Sequence, residues 1–375
     1  MAGIGETVRL RIERIVPGGD GMGRLDGLPV FVPASAPGDL LDARIVGGKP
    51  GFLRAEIAGI AAPGPGRVAP PCPYYGVCGG CNLQHLSYEA QLEAKLGLVR
   101  DAWKRSGGLD RVDFDVVASE PFAYRNRAQF HVDAAGRTCY ARRSSSELLE
   151  VRSCPILVEP LERWIADGSA GAALGKDRFV AFGYRDEAYI EGRDRRLAID
   201  ILGKPFSFDI GGFFQSNLRM VERLVPAVCS DMSGERAADL YCGVGLFGAF
   251  LKRGFPRLVC VEQDERSIGY ACSNVGPGAG FSASSIEDWT RSAQARERFD
   301  YVVVDPPRAG LTATARAWLA AARPAYIGYV SCDPVSMARD AGFLVKAGYA
   351  VESASLFDFY PQTSHVESYA RFRLD

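Results

Sequence analysis

Cys332 closes the run Ala325–Pro334, Ala-Tyr-Ile-Gly-Tyr-Val-Ser-Cys-Asp-Pro, an apolar stretch rich in β-formers that stops at a turn signal. Such a run reads as a buried strand, and in an open α/β sheet ligands and reactive groups gather at the carboxyl ends of the strands. A thiol displayed there can serve as a nucleophile. An arbitrary buried cysteine is more often a small hydrophobe, so the functional reading depends on the company Cys332 keeps.

That company is chemical. Asp239-Leu240-Tyr241 leads into Cys242-Gly243-Val244-Gly245, where a Gly-x-Gly loop between strand and helix lets the backbone come close to a ligand. The loop alone fits nicotinamide, flavin or S-adenosylmethionine. It lacks the third glycine of a dinucleotide fingerprint, which lowers the nicotinamide reading and raises S-adenosylmethionine. Glu262 ends the next strand-like run, Arg257–Glu262, where a carboxylate can accept both hydroxyl protons of a ribose diol. Asp305 ends a third run, Phe299–Val304, and precedes Pro306-Pro307-Arg308. A turn-initiating Asp before prolines is the bland alternative there.

A second cluster lies upstream. Cys72, Cys78 and Cys81 follow one another at short spacing, with Gly79-Gly80 folding the backbone tightly, and three cysteines so close imply a metal centre that needs a fourth ligand. Cys139 and Cys154 are the nearest later candidates. Cys154 precedes Pro155 in a turn context, whereas Cys139 sits in the alternating run Thr138-Cys139-Tyr140-Ala141 and reads as core. The ten cysteines of this chain are poor candidates for a disulfide framework if the compartment is reducing.

The elements that must position these groups fall into three parts. Up to about residue 60, short alternating runs (Val8–Ile12, Val30–Val32, Leu40–Val46, Phe52–Ile57) separated by Gly, Pro and Asp clusters predict a small all-β barrel. Ala61–Gly66 reads as a linker. Ser87 is a helix N-cap, with Leu92, Leu96, Val99 and Trp103 forming the expected apolar face. Tyr124 to about Phe208 returns to strands and loops, with six Arg between Pro121 and Ser153 against three acids: a solvated face or a phosphate-contacting one. From Glu235 onward β and α alternate, which predicts a doubly wound parallel sheet. The hydrophobic and charged fractions, 47% and 24%, are those of a globular protein, no run is long enough to span a bilayer, and the N-terminus has charges where a signal peptide has its apolar core. A cytoplasmic, membrane-free protein is expected. A net charge of −1 provides no global field for nucleic acid, so any such contact must come from local patches.

Taken together, Phe213-Phe214-Gln215-Ser216-Asn217, Asp239–Gly245, Asp305-Pro306-Pro307-Arg308-Ala309-Gly310, Ser331-Cys332-Asp333-Pro334 and His365-Val366-Glu367 resemble, in order and over nearly the whole chain, the RNA uracil-C5 methyltransferase family. The resemblance implies a Rossmann-like class I methyltransferase domain over 211–375, an N-terminal OB-like TRAM β-barrel over 1–60 that binds RNA, and a central α+β iron–sulfur domain over 70–210. It implies Cys332 as nucleophile and Glu367 as general base. Gln215, Tyr241, Gly243, Gly245, Glu262, Ser285 and Asp305 would bind S-adenosylmethionine, and Cys72, Cys78, Cys81 and Cys154 a 4Fe-4S cluster as in the ribosomal-RNA branch. Leu246 stands where relatives often have Asn, Ser285 where they have Asn or Asp, and Asp333 where Asn is common; an unpaired carboxylate at 333 would oppose thiolate formation.

The implied activity is methyl transfer to C5 of a flipped-out uridine in ribosomal RNA by a monomeric enzyme. A transfer-RNA substrate is the alternative within the same chemistry. A radical methylase would need a three-cysteine cluster with an open iron, which a fourth cysteine opposes. A non-catalytic iron–sulfur RNA-binding protein would not need both Cys332 and Glu367.

Overall fold

The computed structural model describes residues 3–167, 175 and 177–375. Period-two alternation turns Leu10, Ile12, Val30, Val32, Leu41, Ala43, Ile45 and Ala55 inward. These lie on β1 (Thr7–Ile15), β3 (Leu28–Val32), β4 (Leu40–Lys49) and β5 (Phe52–Ala62), which with β2 (Gly21–Leu25) close into a barrel in the order β1-β2-β3-β5-β4. Buried Asp39 ties the outgoing linker to it, accepting the Gly64 N–H at 2.8 Å and pairing with Arg67 at 2.5 Å.

Helix α1 (Tyr88–Ala102) begins at Ser87, whose Oγ accepts the Ala90 N–H. Its buried stripe differs from the expected face. Gln91, Lys95, Leu98, Val99 and Ala102 are buried, and Trp103 just beyond them, while Leu92 and Leu96 are half-covered. Polar residues can join a core when partners satisfy them there, and apolar periodicity cannot register that. Lys95 pairs with Asp358 and Gln91 with Gln362.

The segment expected as one central unit over 70–210 is divided. Strand β6 (Asp115–Val117) pairs with β19 (Tyr349–Phe357) at the edge of the C-terminal sheet, and α1 packs on α8 (Pro334–Lys346), so both join the C-terminal unit. The hairpin β12 (Arg196–Ile201) and β13 (Lys204–Asp209) also joins the C-terminal core through Ile199, Ile201, Phe206 and Phe208. What remains is a five-stranded sheet, β11-β10-β7-β8-β9, built from β7 (Arg127–Val132), β8 (Thr138–Ala141), β9 (Leu148–Glu150), β10 (Arg178–Tyr184) and β11 (Glu187–Ile190). Helix α2 (Glu159–Ala166) covers it, with Phe130, Leu161, Ile165 and Phe179 between them.

The C-terminal sheet runs β16-β15-β14-β17-β18-β20-β19-β6. Its parallel part consists of β14 (Arg236–Leu240), β15 (Arg257–Glu262), β16 (Ala279–Ala283), β17 (Tyr301–Val304) and β18 (Tyr326–Ser331); β20 (Glu367–Leu374) runs antiparallel between β18 and β19. Apolar cores cover both faces, as continuous runs such as Tyr301–Val304 require. From β14 the chain proceeds outward to β15 and β16, then returns to β17 on the other side, so strand order reverses between β14 and β17. A crevice opens there at the carboxyl ends. Among the described residues no helix is long and apolar enough to cross a membrane.

Candidate active site

Strand register brings the reactive groups together. Ser331 at the end of β18 pairs with Ser368 of antiparallel β20, so the next residue, Cys332, comes beside Glu367, the first residue of β20. Asp305 follows the end of β17, the parallel neighbour of β18. All three line one cleft of about 1200 Å³. Glu367 is 3% exposed, and burial, then the Asp305 charge, push its proton affinity well above the usual carboxylate range while Arg308 opposes them. Burial pushes Asp305 up to about 7. Cys332 is pushed up to about 11 by burial and then by the charges of Glu367 and Asp305, with Arg308 acting the other way. The carboxylate of Asp333 is occupied: its Oδ1 accepts the Val335 and Ser336 N–H groups at 3.1 and 2.7 Å, capping α8.

The loop after Asp305 is held from behind by buried Asp340 of α8. Its Oδ2 accepts the Leu311 N–H and the Tyr329 hydroxyl, both at 2.8 Å, and its Oδ1 pairs with Arg316 at 2.9 Å. Gly310, at φ +75°, allows the chain to pass this close to Asp340.

On the opposite side of the switch point, Tyr241, Gly243 and Gly245 all have left-handed φ, 61°, 52° and 83°, which turns the chain from β14 into α4 (Leu246–Leu251). Buried Asp239 pins that turn by accepting the Gly248 N–H at 2.7 Å, and its burial raises it to about 7. Glu262 accepts the N–H groups of Gly243 at 3.1 Å and Asp264 at 2.9 Å, one on each oxygen, leaving further acceptor capacity on both. The Gln215 Oε1 and the Tyr241 hydroxyl are buried without a partner among the described residues. Ser285 caps the helical turn α6 (Ile286–Trp289), its Oγ accepting the Asp288 N–H and donating to the Asp288 carboxylate, so its hydroxyl is already engaged. Gln215, Tyr241, Gly243, Glu262 and Ser285 line the cleft with Asp305, Cys332 and Glu367; Gly245 lies behind it at the start of α4. Two orphaned polar atoms, a glycine turn and an acid at the tip of β15 suit a ligand that carries an amino acid and a ribose.

The cysteines sit in different surroundings. Burial raises Cys78, Cys81 (to about 11) and Cys154 (to about 12); Cys81 feels the charges of Cys78 and Cys72, and Cys154 that of Cys81. Cys139 is 1% exposed in the five-stranded sheet and is perturbed by burial and by Asp133, Arg137 and Glu150, not by the other thiols. Among the described residues no group of three or more His, Cys, Asp or Glu is drawn in closely enough to hold a metal ion. Gly79 and Gly80 of the cysteine loop line the same cleft as Cys332.

Comparison with known proteins fits this arrangement. A TRAM domain matches residues 3–58, a methyltransferase small domain 217–324 and a tRNA (uracil-5-)-methyltransferase domain 293–372. An uncharacterised RNA methyltransferase of Treponema denticola is 31% identical over 93% of this chain and 94% of its own. The 23S rRNA (uracil(1939)-C(5))-methyltransferase RlmD of an Azoarcus species is 30% identical over 96% of this chain and 98% of its own. The chain belongs to the RNA uracil-C5 methyltransferase family. The crystal structure of Pyrococcus abyssi tRNA (uracil-54, C5)-methyltransferase with S-adenosyl-L-homocysteine covers 97% of this chain and 100% of that one, with a TM-score of 0.70 and 26% identity. This chain is therefore an S-adenosylmethionine-dependent RNA uracil-C5 methyltransferase with an N-terminal TRAM barrel.

Several groups of the methyltransferase cleft were not assigned from the sequence. Arg308 lies beside Cys332, and Tyr360 lies close enough to feel Cys332 and Glu367 and is itself raised by burial. Arg125 and Arg127 line the side nearest the cysteine loop. Arg308 could have been found from its place in the Asp305 loop; Tyr360 carried no local signal. The adjacent Phe213 and Phe214 part ways. Phe214 stacks on Phe208 at 4.4 Å inside the core, whereas Phe213 is 68% exposed at the cleft.

Proposed function

We propose that this methyltransferase modifies C5 of a uridine in large-subunit ribosomal RNA through a covalent bond between Cys332 and C6. The observation that carries the mechanism is the convergence of Cys332, Glu367 and Asp305 at the ends of adjacent strands in one cleft. C5 of uracil is a poor nucleophile. Once the Cys332 thiol has lost its proton, the thiolate adds to C6 and the C5=C6 electron pair moves toward the C4 oxygen, so C5 gains the density to attack a methyl group. S-adenosylmethionine would supply that methyl from its electrophilic sulfonium, the S–CH3 electron pair staying on sulfur in the departing neutral thioether, and Gln215, Tyr241, Gly243, Glu262 and Asp305 would hold it, with Gly245 shaping the turn.

The methylated adduct still carries a proton on C5. Glu367 accepts it, the C–H electron pair restores C5=C6, and the C6–S bond breaks to release Cys332 as thiolate. Arg308 favours the ionised state of Glu367 that this step needs, and a carboxylate of raised proton affinity is the stronger base once ionised. A stacked base cannot reach Cys332, so the uridine must leave its helix, with Phe213 available to stack at the cleft. Cys72, Cys78, Cys81 and Cys154 would hold a 4Fe-4S cluster that shapes the RNA side of the cleft, which requires the thiols to draw closer together than they stand here; the reading is supported by Cys81 feeling Cys78 and Cys72, and Cys154 feeling Cys81, beside Gly79 and Gly80. Methyl transfer itself requires no electron from it.

The Azoarcus relative's name and the cysteine set favour ribosomal RNA; likeness to the Pyrococcus enzyme along the whole chain favours transfer RNA. One experiment addresses target and mechanism: 23S ribosomal and transfer-RNA transcripts, with uridine or 5-fluorouridine, offered to wild type, Cys332→Ala and Glu367→Gln. Wild type should be trapped on fluorinated 23S RNA with Cys332 in the crosslinked peptide. Cys332→Ala should form no adduct and transfer no methyl group. Glu367→Gln should accumulate a methylated adduct on ordinary RNA. Methylation by Cys332→Ala, or trapping at Cys242, overturns the mechanism, and trapping on transfer RNA alone overturns the target.

A further inference from the structure

The segment from Asp358 to Val366, between β19 and Glu367, has no regular structure and is nevertheless bonded residue by residue to distant parts of the chain. The Lys95 Nζ donates to the Asp358 carboxylate at 2.5 Å and to the Tyr360 carbonyl at 2.9 Å, and Lys95 and Asp358 are both fully buried. Gln91 and Gln362 bond twice: the Gln91 amide donates to the Gln362 Oε1 at 3.0 Å, and the Gln362 N–H donates to the Gln91 Oε1 at 2.8 Å. The Tyr124 hydroxyl donates to the Pro361 carbonyl, and the Asn217 side chain to that of Phe359. The Asn82 and Leu83 N–H groups both donate to the Gln362 carbonyl. Gln362 itself has a left-handed φ of 69°, a conformation that persists in a non-glycine residue only where its surroundings over-determine it.

We propose that Lys95 and Gln91, neither of which reaches the cleft, are positioning residues that fix this segment and so place Glu367 for removal of the C5 proton. The inference rests on the covalent mechanism proposed above. A buried ion pair is weak evidence for stability, since apolar residues of similar volume often do as well. Lys95 does something an apolar residue cannot. Its second bond grips the backbone at Tyr360, whose side chain lines the cleft, seven residues before the proposed base. The segment also meets the rest of the molecule here, because Asn82 joins Ser364 to Gly18 in the barrel.

The test separates positioning from stability. Lys95→Met leaves Asp358 buried without its partner and should lower Tm. The double variant Lys95→Met with Asp358→Leu removes both charges and should recover Tm, while the grip on Tyr360 remains lost. Gln91→Met removes both bonds to Gln362, together with the bond from the Gln91 amide to the Leu86 carbonyl, and leaves the Lys95 pair in place. With RNA tritiated at uridine C5 and labelled methyl donor, methyl transfer into the protein–RNA adduct and tritium release are timed separately in a single turnover. The double variant and Gln91→Met should slow tritium release about tenfold to a hundredfold and change methyl transfer little, since small misplacements of a reacting group have effects of that size. Tritium release at the wild-type rate in a double variant of recovered Tm overturns the inference and leaves the mechanism standing. Absence of any adduct with the wild-type enzyme overturns the mechanism and the inference together.

Discussion

Cys332 sits in a place that opposes its own ionisation. Burial and the neighbouring Glu367 and Asp305 raise it to about 11, so at neutral pH the thiol form prevails, and only the thiolate adds to C6. The sign follows directly: each unit of pH below that value leaves less thiolate, so adduct formation must accelerate as pH rises. Single-turnover trapping on 5-fluorouridine RNA should quicken about tenfold per unit between about pH 7 and pH 9, as expected for a nucleophile far below its own pKa. A plateau already reached at pH 7 would show that the bound uridine or Arg308 ionises the thiol, and that burial and the two acids do not govern it. Asp333 adds little to the opposition because the N-terminus of α8 holds its carboxylate. Cys242 lines the cleft too, but a contact with Cys260, burial and nearby acids raise it well above an ordinary thiol, which makes it the poorer nucleophile.

At the scale of elements, strand ends present the chemistry and buried carboxylates on α8 and β14 hold the loops to it. Asp340 on α8 fastens the loop that carries Asp305 and Arg308, and Asp239 fastens the turn into α4. Gly310 shows how little room this leaves: at φ +75° a Cβ would lie 2.6 Å from the Asp340 Oδ2 and 2.8 Å from the Arg339 Nη2. Gly310→Ala should therefore cost about 1–3 kcal/mol, from strained backbone and the displaced carboxylate together. Urea denaturation measures the loss, and single-turnover adduct formation on the same variant should fall with it. Unchanged stability would mean that the Asp305 loop is looser than its bonds to Asp340 imply. Gly243 makes the contrast, since a Cβ there meets nothing within 4 Å.

Across the whole molecule, the sequence order of the chain is not its spatial order. Cys72, Cys78 and Cys81 precede α1 and Cys154 follows β9, yet folding brings Cys154 within electrostatic reach of Cys81, beside the Gly79-Gly80 edge of a cleft whose other walls come from Arg125 and Arg127, from Gly212–Ser216 and from β14 to β20. Protein purified anaerobically should be brown and carry stoichiometric iron, and Cys154→Ser should lose most of it, because four thiolates suit that centre. Colourless protein with bound zinc would overturn the cluster.

Much of this was legible in the residues. The barrel declared itself by alternation, the parallel sheet by continuous apolar runs ending in Gly, Glu, Asp or Cys, and the cleft residues by standing at those ends; each is a local pattern with a fixed period or a fixed terminus. Tertiary structure decided what depends on partners distant in sequence. Lys95 and Gln91 read as surface residues because a pattern counts them as polar, and they are core because Asp358 and Gln362, more than 250 residues later, satisfy them. Phe213 and Phe214 are equivalent in the sequence and opposite in the fold, since only one can face Phe208. The central segment seemed a single unit because its runs are contiguous, yet β6, α1 and the β12–β13 hairpin found better burial on the C-terminal sheet than beside their neighbours in the chain.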